Sequence, residues 1–374
     1  MSLVKTTICK VFFAAALLLA FVAPARAQSC SGDYLVQQSF PLGATAQTSW
    51  WICWRADRRN GLEIHRAFFR PKPSSPWIQV LGPSQVSEIF VPYHSGDPGY
   101  RFYDISIVSA GAIKLTEKDC PSLLGKLIGE KSETCLMIRD QGIAWKYDQE
   151  VKRGQEVLLW GTIASGNYYY VIEWTFRDDG TILGRVGATG QNNPGHAKIA
   201  HMHTITWRLD VDLNGPELDT AYLARHVESG LKGTDFLTPI PKAGGLAWNA
   251  LELSGLHIHD RNLKNARGNP AAYHLKPQRY GNARHQEPFT HQDFWITLNK
   301  PNQELAKLLP TYVAAQDPVV EKDIVVWYTS GLHHLVRDED GYYEGNLWKG
   351  RTHAMWAGFM MMPHNLFDRT PFFP

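Results

Sequence analysis

From Ser49 onward the chain is a succession of short runs rich in Val, Ile, Tyr, Trp, Phe and Thr, each closed by turn residues, and that rhythm limits what it can fold into. The runs EVLLWGTI (156–163), YYYVIEWTF (168–176), ILGRVGATG (182–190), TITWRLDVD (204–212), FWITL (294–298) and DIVVWYTSG (323–331) have the length and the β-branched and aromatic content of strands. RDDG, Arg177 to Gly180, joins two of them as a hairpin, and LNGP closes another. An aromatic share of 12% with 13 Trp suits broad sheets better than a helical bundle. The expectation is a mainly β fold, a large antiparallel sheet assembly. Helical signals are few: ELDTAYLARHVESG (217–230) and NQELAKLLP (302–310), the second stopped by Pro310. No Pro/Gly/Ser linker divides the chain, so it reads as one domain, residues 48–374, after a less regular N-terminal segment, residues 28–47. Residues 240–290, with many Asn, Arg, Gly, Pro and His, read as a long surface excursion or arm.

The first residues, MSLVKTTICKVFFAAALLLAFVAPARAQ, set Lys5 and Lys10 ahead of an apolar run that ends at Ala25, Arg26 and Ala27. This is the pattern of a secretory signal with a small-x-small cleavage site, so residues 1–27 are read as a signal peptide and the protein as exported, periplasmic or secreted. The run is short for a membrane span, and nothing later is long and apolar enough to be one. Cys9 leaves with the signal; Cys30, Cys53, Cys120 and Cys135 remain in an oxidising compartment, where two disulfides are expected. Chain order favours Cys30 with Cys53 and Cys120 with Cys135, while four cysteines allow three connectivities. A net charge of +2 without any Lys/Arg block points away from nucleic acid and from polybasic membrane binding.

The chemistry concentrates in HMHTITWRLDVDLNG, residues 201–215. Side chains alternate across a strand, so His201 and His203 share a face with Cα atoms roughly 6.5 to 7 Å apart, within reach of one metal ion. Two imidazoles alone bind weakly, and a third ligand is sought among His257 and His259, His291, and His333 and His334. Asp210 and Asp212 share a face in the same way, and their hard oxygens suit calcium or a similar cation.

From Trp50 to Pro374 the chain resembles the catalytic domain of the copper amine oxidases, motif after motif in the same order. The segments that carry the resemblance are WWICWRADRRNGLEIHRAFF, SEIFVPYHSGDP, IASGNYYYVIEWTFRDDGTI, HMHTITWRLDVDLNG, DIVVWYTSGLHHLVRDED and NLFDRTPFFP. The smaller domains that many members carry ahead of the catalytic domain have no counterpart in these motifs. The resemblance implies the family's large antiparallel β-sandwich and its homodimer. It implies copper held by His201, His203 and His334, with His333 a neighbour and not a ligand. It implies that Tyr168, after Asn167, is the tyrosine converted with dioxygen into the protein-derived quinone topaquinone. Asp104, in YRFYDIS, matches the base that takes the substrate's α-proton, Tyr93 the tyrosine that holds the quinone ring, and Phe102 falls near the aromatic gate. Asp323 joins Asp210 and Asp212 at a peripheral cation site, and Cys120 and Cys135 match the family's disulfide partners.

The sequence also departs from the family pattern. Tyr169 replaces the acidic residue that follows the modified tyrosine, Ala164 stands where threonine is usual, and the segment between Tyr93 and Asp104 is short. The implied activity is an oxidase that converts a primary amine, small or peptide-bound, with dioxygen and water to an aldehyde, ammonia and hydrogen peroxide. Two other readings keep the copper: a divergent oxidase with an unmodified tyrosine, and a non-catalytic periplasmic copper-binding protein.

Overall fold

The structure is a computed structural model that describes residues 30, 34–42, 46–93, 100–192, 199–278 and 282–373. The signal peptide read at residues 1–27 lies outside the described residues. The described residues form antiparallel sheets of eleven, six, four and two strands, with only short helical turns between them. The strand Tyr168–Arg177 shows why: Tyr168, Tyr170, Ile172, Trp174 and Phe176 recur at every second position and are all buried. An alternating apolar side can be hidden only by a second layer.

That second layer is the six-stranded sheet, which includes Gln85–Pro92, His201–Asp210 and Ile324–His334. Trp174 of the eleven-stranded sheet meets Trp207 of the six-stranded one edge-on, ring centres 5.2 Å apart. Phe359, on Thr352–His364, closes on Trp207 at 5.1 Å. Such aromatic pairs each add about 0.5–1.5 kcal/mol beyond the area they bury. The four-stranded sheet is tied on by Trp50, whose ring lies 5.1 Å from Phe176 and whose Nε1–H donates to the Arg177 carbonyl at 2.7 Å. The architecture is thus the mainly β, antiparallel sandwich expected. Cys30 pairs with Cys53 and Cys120 with Cys135. No helix among the described residues is long and apolar enough to cross a membrane.

Four local expectations are corrected. The segment taken as irregular holds the strand Leu35–Leu42, paired with Ala46–Asp57. The helical pattern at 217–230 is the strand Asp219–Ser229, because pairing on both edges, with Lys232–Pro239 and Gly255–Lys264, outweighs a weak helical preference. Pro310 does not stop a helix; it lies in the first turn of Leu309–Tyr312, where its missing N–H costs nothing. Residues 240–290 are not an excursion, since Gly255–Lys264 and Pro270–Pro277 run inside the eleven-stranded sheet with Leu256, Ile258, Tyr273 and Leu275 fully buried. The exposed hairpin is the one just before, Asp219–Ser229 with Lys232–Pro239, whose second strand is exposed throughout.

Candidate metal and active site

His201 and His203 open the strand His201–Asp210, and strand register sets the third histidine: His334 is paired directly opposite His201. His333 is opposite Met202, on the other face, and is exposed. His291 is exposed and bonded through Nε2 to the His285 carbonyl, and His257 and His259 belong to the other sheet. One nitrogen from each of His201, His203 and His334 lies within 4.8 Å of the other two, and all three rings are buried. The second nitrogen of each ring is already engaged. His201 Nδ1–H donates to the Ile199 carbonyl (2.7 Å), and His334 Nε2–H to Asp340 Oδ2 (3.2 Å). His203 Nδ1 lies 3.0 Å from the Tyr170 hydroxyl, which itself donates to Asp104 Oδ2, so the imidazole supplies the N–H. The tautomers are thereby set with lone pairs on His201 Nε2, His203 Nε2 and His334 Nδ1. His203 Nε2 is buried without a hydrogen-bond partner, and burial, then the other two imidazoles, keep its ring well below the usual histidine range.

Tyr168 comes from the facing sheet. Ser165 and Tyr168 pair across a two-residue turn, Gly166 and Asn167, in which Gly166 takes φ +57°, a conformation suited to glycine at the first central position. The turn aims the phenol at the imidazoles: its hydroxyl is 3.0 Å from His201 Nε2 and 3.2 Å from His334 Nδ1. Burial and then the neighbouring Tyr93 hydroxyl push this phenol well above the usual tyrosine range; a cation on the imidazoles would act the other way. Tyr93 lays its ring 4.4 Å from that of His201. Asn167 is exposed in the turn and lines the mouth of a cavity of about 140 Å³, with Val91, Phe102, Asp104 and Val108. Asp104 begins a single π-helical turn, Asp104–Val108, and is buried. Burial pushes its carboxyl up to about 7; the Tyr170 hydrogen bond opposes this and the Glu88 carboxylate adds to it.

Asp210, Asp212 and Asp323 also bring three ligand oxygens within 4.8 Å of one another. Arg208 pairs with Asp210 at 3.9 Å and also donates to the Pro83 and Gln303 carbonyls and to Asn299 Oδ1, leaving one cation against three carboxylates. Burial pushes Asp210 up to about 7, with Arg208 opposing and Asp323 reinforcing. The backbone at Gly82 passes so close that a Cβ there would fall 2.6 Å from Asp212 Oδ2 and 2.8 Å from Asp210 Oδ2.

Residues 46–373 match the family described as copper amine oxidase, enzyme domain. The chain belongs to the copper amine oxidase family. The copper-containing amine oxidase gamma 1 of Arabidopsis thaliana is 26% identical over 86% of this chain and 56% of its own length. The histamine oxidase of Arthrobacter globiformis is 25% identical over 84% of this chain and 54% of its own. The chain thus spans about half the length of the curated relatives it matches. The copper-containing benzylamine oxidase of Hansenula polymorpha shares the fold with a TM-score of 0.71 and 18% identity, over 86% of this chain and 59% of that one. The lysyl oxidase of Pichia pastoris does so at 0.67 and 19%, over 86% and 52%.

Copper is the metal this family implies, and the donors fit it: three neutral imidazoles, each oriented by a hydrogen bond at its far nitrogen, are ligands that suit copper. In this member of the copper amine oxidase family several positions around the site escaped sequence reasoning. Tyr170 bridges Asp104 and His203, and its signal was parity, two residues beyond Tyr168 on the same face. Asp340 orients His334, and Arg337 pairs with it at 3.0 Å. Glu88 Oε1 accepts the N–H of Ile105 at 3.0 Å and so anchors the turn that carries Asp104. Asp219, fully buried beside the acidic group, is pushed up to about 10 by burial and then by Asp212, Asp260 and Asp323. Asp340, Glu88 and Asp219 meet their site partners through the folding of the chain, which no local pattern announces.

Proposed function

We propose that this copper amine oxidase is an exported, topaquinone-dependent oxidase that converts a primary amine, with dioxygen and water, to an aldehyde, ammonia and hydrogen peroxide. The observation that carries the reading is the convergence of three lone-pair nitrogens and the Tyr168 hydroxyl, 3.0 and 3.2 Å from two of them. Copper on His201, His203 and His334, with the quinone made from Tyr168, would supply the electrophile for the amine and the redox chemistry with dioxygen. The protein's own residues do the rest. Asp104, with its carboxyl pushed up to about 7, is the base that takes the α-proton, since a buried carboxylate poised near working pH is both available and basic enough. Glu88 holds the turn under it, and Tyr170 holds the carboxylate in place by donating to Oδ2. Val91, Phe102 and Val108 give the cavity apolar walls that keep water from the reacting carbon. Tyr93 packs on His201 and flanks the Tyr168 hydroxyl, which limits where that ring can lie.

Asp210, Asp212 and Asp323 are proposed to hold calcium or a similar hard cation, supported by their buried, converging oxygens. The two disulfides support an oxidising compartment and the proposed export. The exposed hairpin ending at Pro239 supports a homodimer arm. Phenylhydrazine titration of the copper-loaded protein tests the central claim. A new visible chromophore, absent from Tyr168→Phe, is the expected result; copper bound at one equivalent with no adduct would leave the phenol unmodified and the oxidase reading untenable.

A further inference from the structure

The sequence holds a second His-x-His pair, His257 and His259, that the copper site does not use. It lies on Gly255–Lys264 in the eleven-stranded sheet, and the register gathers two more histidines around it. His257 is paired with His274, and His259 with Ala272. On its other edge the Pro270–Pro277 strand sets Ala272 opposite His364. Four imidazoles therefore stand on one face around the small side chain of Ala272. The His257 ring centre is 4.3 Å from His274, 5.1 Å from His364 and 5.7 Å from His259. Tyr222 packs on His259 at 4.7 Å.

The burial of His257 at its centre separates this cluster from a solvated patch. His257 is 6% exposed, and its Nδ1 has no hydrogen-bond partner; the same holds for the buried Nε2 atoms of His259 and His274. Native structures seldom leave buried polar atoms unmatched without a ligand, water or ion to meet them. His257, His274 and His364 line a cavity of about 590 Å³ whose wall also includes His226, Asp235 and Trp248.

We propose that His257, His274 and His364, with His259 beside them, form a second binding site for a divalent transition-metal ion of the zinc or copper type. Neutral imidazoles are the ligands such ions prefer, and burial holds His257, His259 and His274 below the usual histidine range. Burial, then His274, His364 and His259, lower His257 to about 3; burial, then Lys276 and His364, lower His274 to about 4. Protons therefore do not compete for the His257 and His274 nitrogens near neutrality. The set is wider than the copper ligands, since among the described residues only the two groups already described bring three ligand atoms within 4.8 Å. A bound ion would draw His364, the exposed last residue of Thr352–His364, closer to His257.

The test uses full-length protein loaded with one equivalent of copper and kept in calcium, so that the copper and carboxylate sites are filled, then dialysed against Zn2+. Elemental analysis should find one further equivalent of zinc. His364→Ala, a surface change that does not endanger folding, and His257→Phe should each weaken zinc uptake by about tenfold or more while copper content stays constant. No zinc beyond the filled sites, or equal uptake by the parent and His364→Ala, overturns the proposal.

Discussion

Each of the three copper-site histidines spends one ring nitrogen on the protein, and that expenditure decides which nitrogen faces the metal. Asp340 does this for His334, and Tyr170 for His203. Asp340→Asn and Tyr170→Phe should each lower copper affinity by about 10–100-fold without removing a ligand, measured by competition with a chelator. Asp104 yields a pH prediction with a definite sign. Its carboxyl is raised to about 7, so the protonated acid prevails below that value and the base form above it. kcat/KM should therefore climb with pH, about tenfold per unit below pH 7, and level off above; Asp104→Asn should remove the activity and keep the copper. The ligand pair His201 and His203 was legible because a strand's alternation is local. The family resemblance already favoured His334 over His333, and the register that sets His334 opposite His201 supplies the physical reason once two distant strands are paired.

Elements carry these residues, and the sandwich carries the elements. The strand that presents His201 and His203 at one end buries Trp207 in its middle, against Trp174 and Phe359. Trp207→Ala should cost about 3–5 kcal/mol of stability, read from urea unfolding, because the cavity left between two sheets cannot collapse. Strands with unbroken runs of large apolar residues, such as Tyr168–Arg177 and Ile324–His334, announce themselves in the sequence. Asp219–Ser229 and Pro270–Pro277 do not, because their strand state comes from neighbours on both edges. Composition misleads there: the Asn, Gly and Arg of residues 260–270 mark one turn between core strands and not a long excursion.

At the scale of the whole molecule, the acidic group joins the end of the His201–Asp210 strand to Asp323, just before Ile324–His334, with Asp219 beside them. Asp210 and Asp219 hold protons in the fold more tightly than unfolded carboxyls do, so without a cation stability falls as pH rises from about 4 through about 7, and on toward about 10 for Asp219. Calcium bound there would relieve that repulsion only once the protons are gone. Calcium at about 100 times its Kd should add about 2.7 kcal/mol, with a larger rise in Tm at pH 8 than at pH 5, followed by calorimetry. Reduction of the disulfides should also destabilise the fold, by about 3 kcal/mol for the 15-residue span between Cys120 and Cys135. By itself the sequence determined what short-range physics can encode: a β-rich chain and the faces on which paired histidines and aspartates lie, with the family resemblance singling out the tyrosine after Asn167. Only the tertiary structure decided how His334 comes to stand opposite His201, which hydroxyl orders the base, and that a second set of histidines surrounds Ala272. Those outcomes depend on strand order and register, and both are settled by how the two sheets bury their aromatic faces against each other.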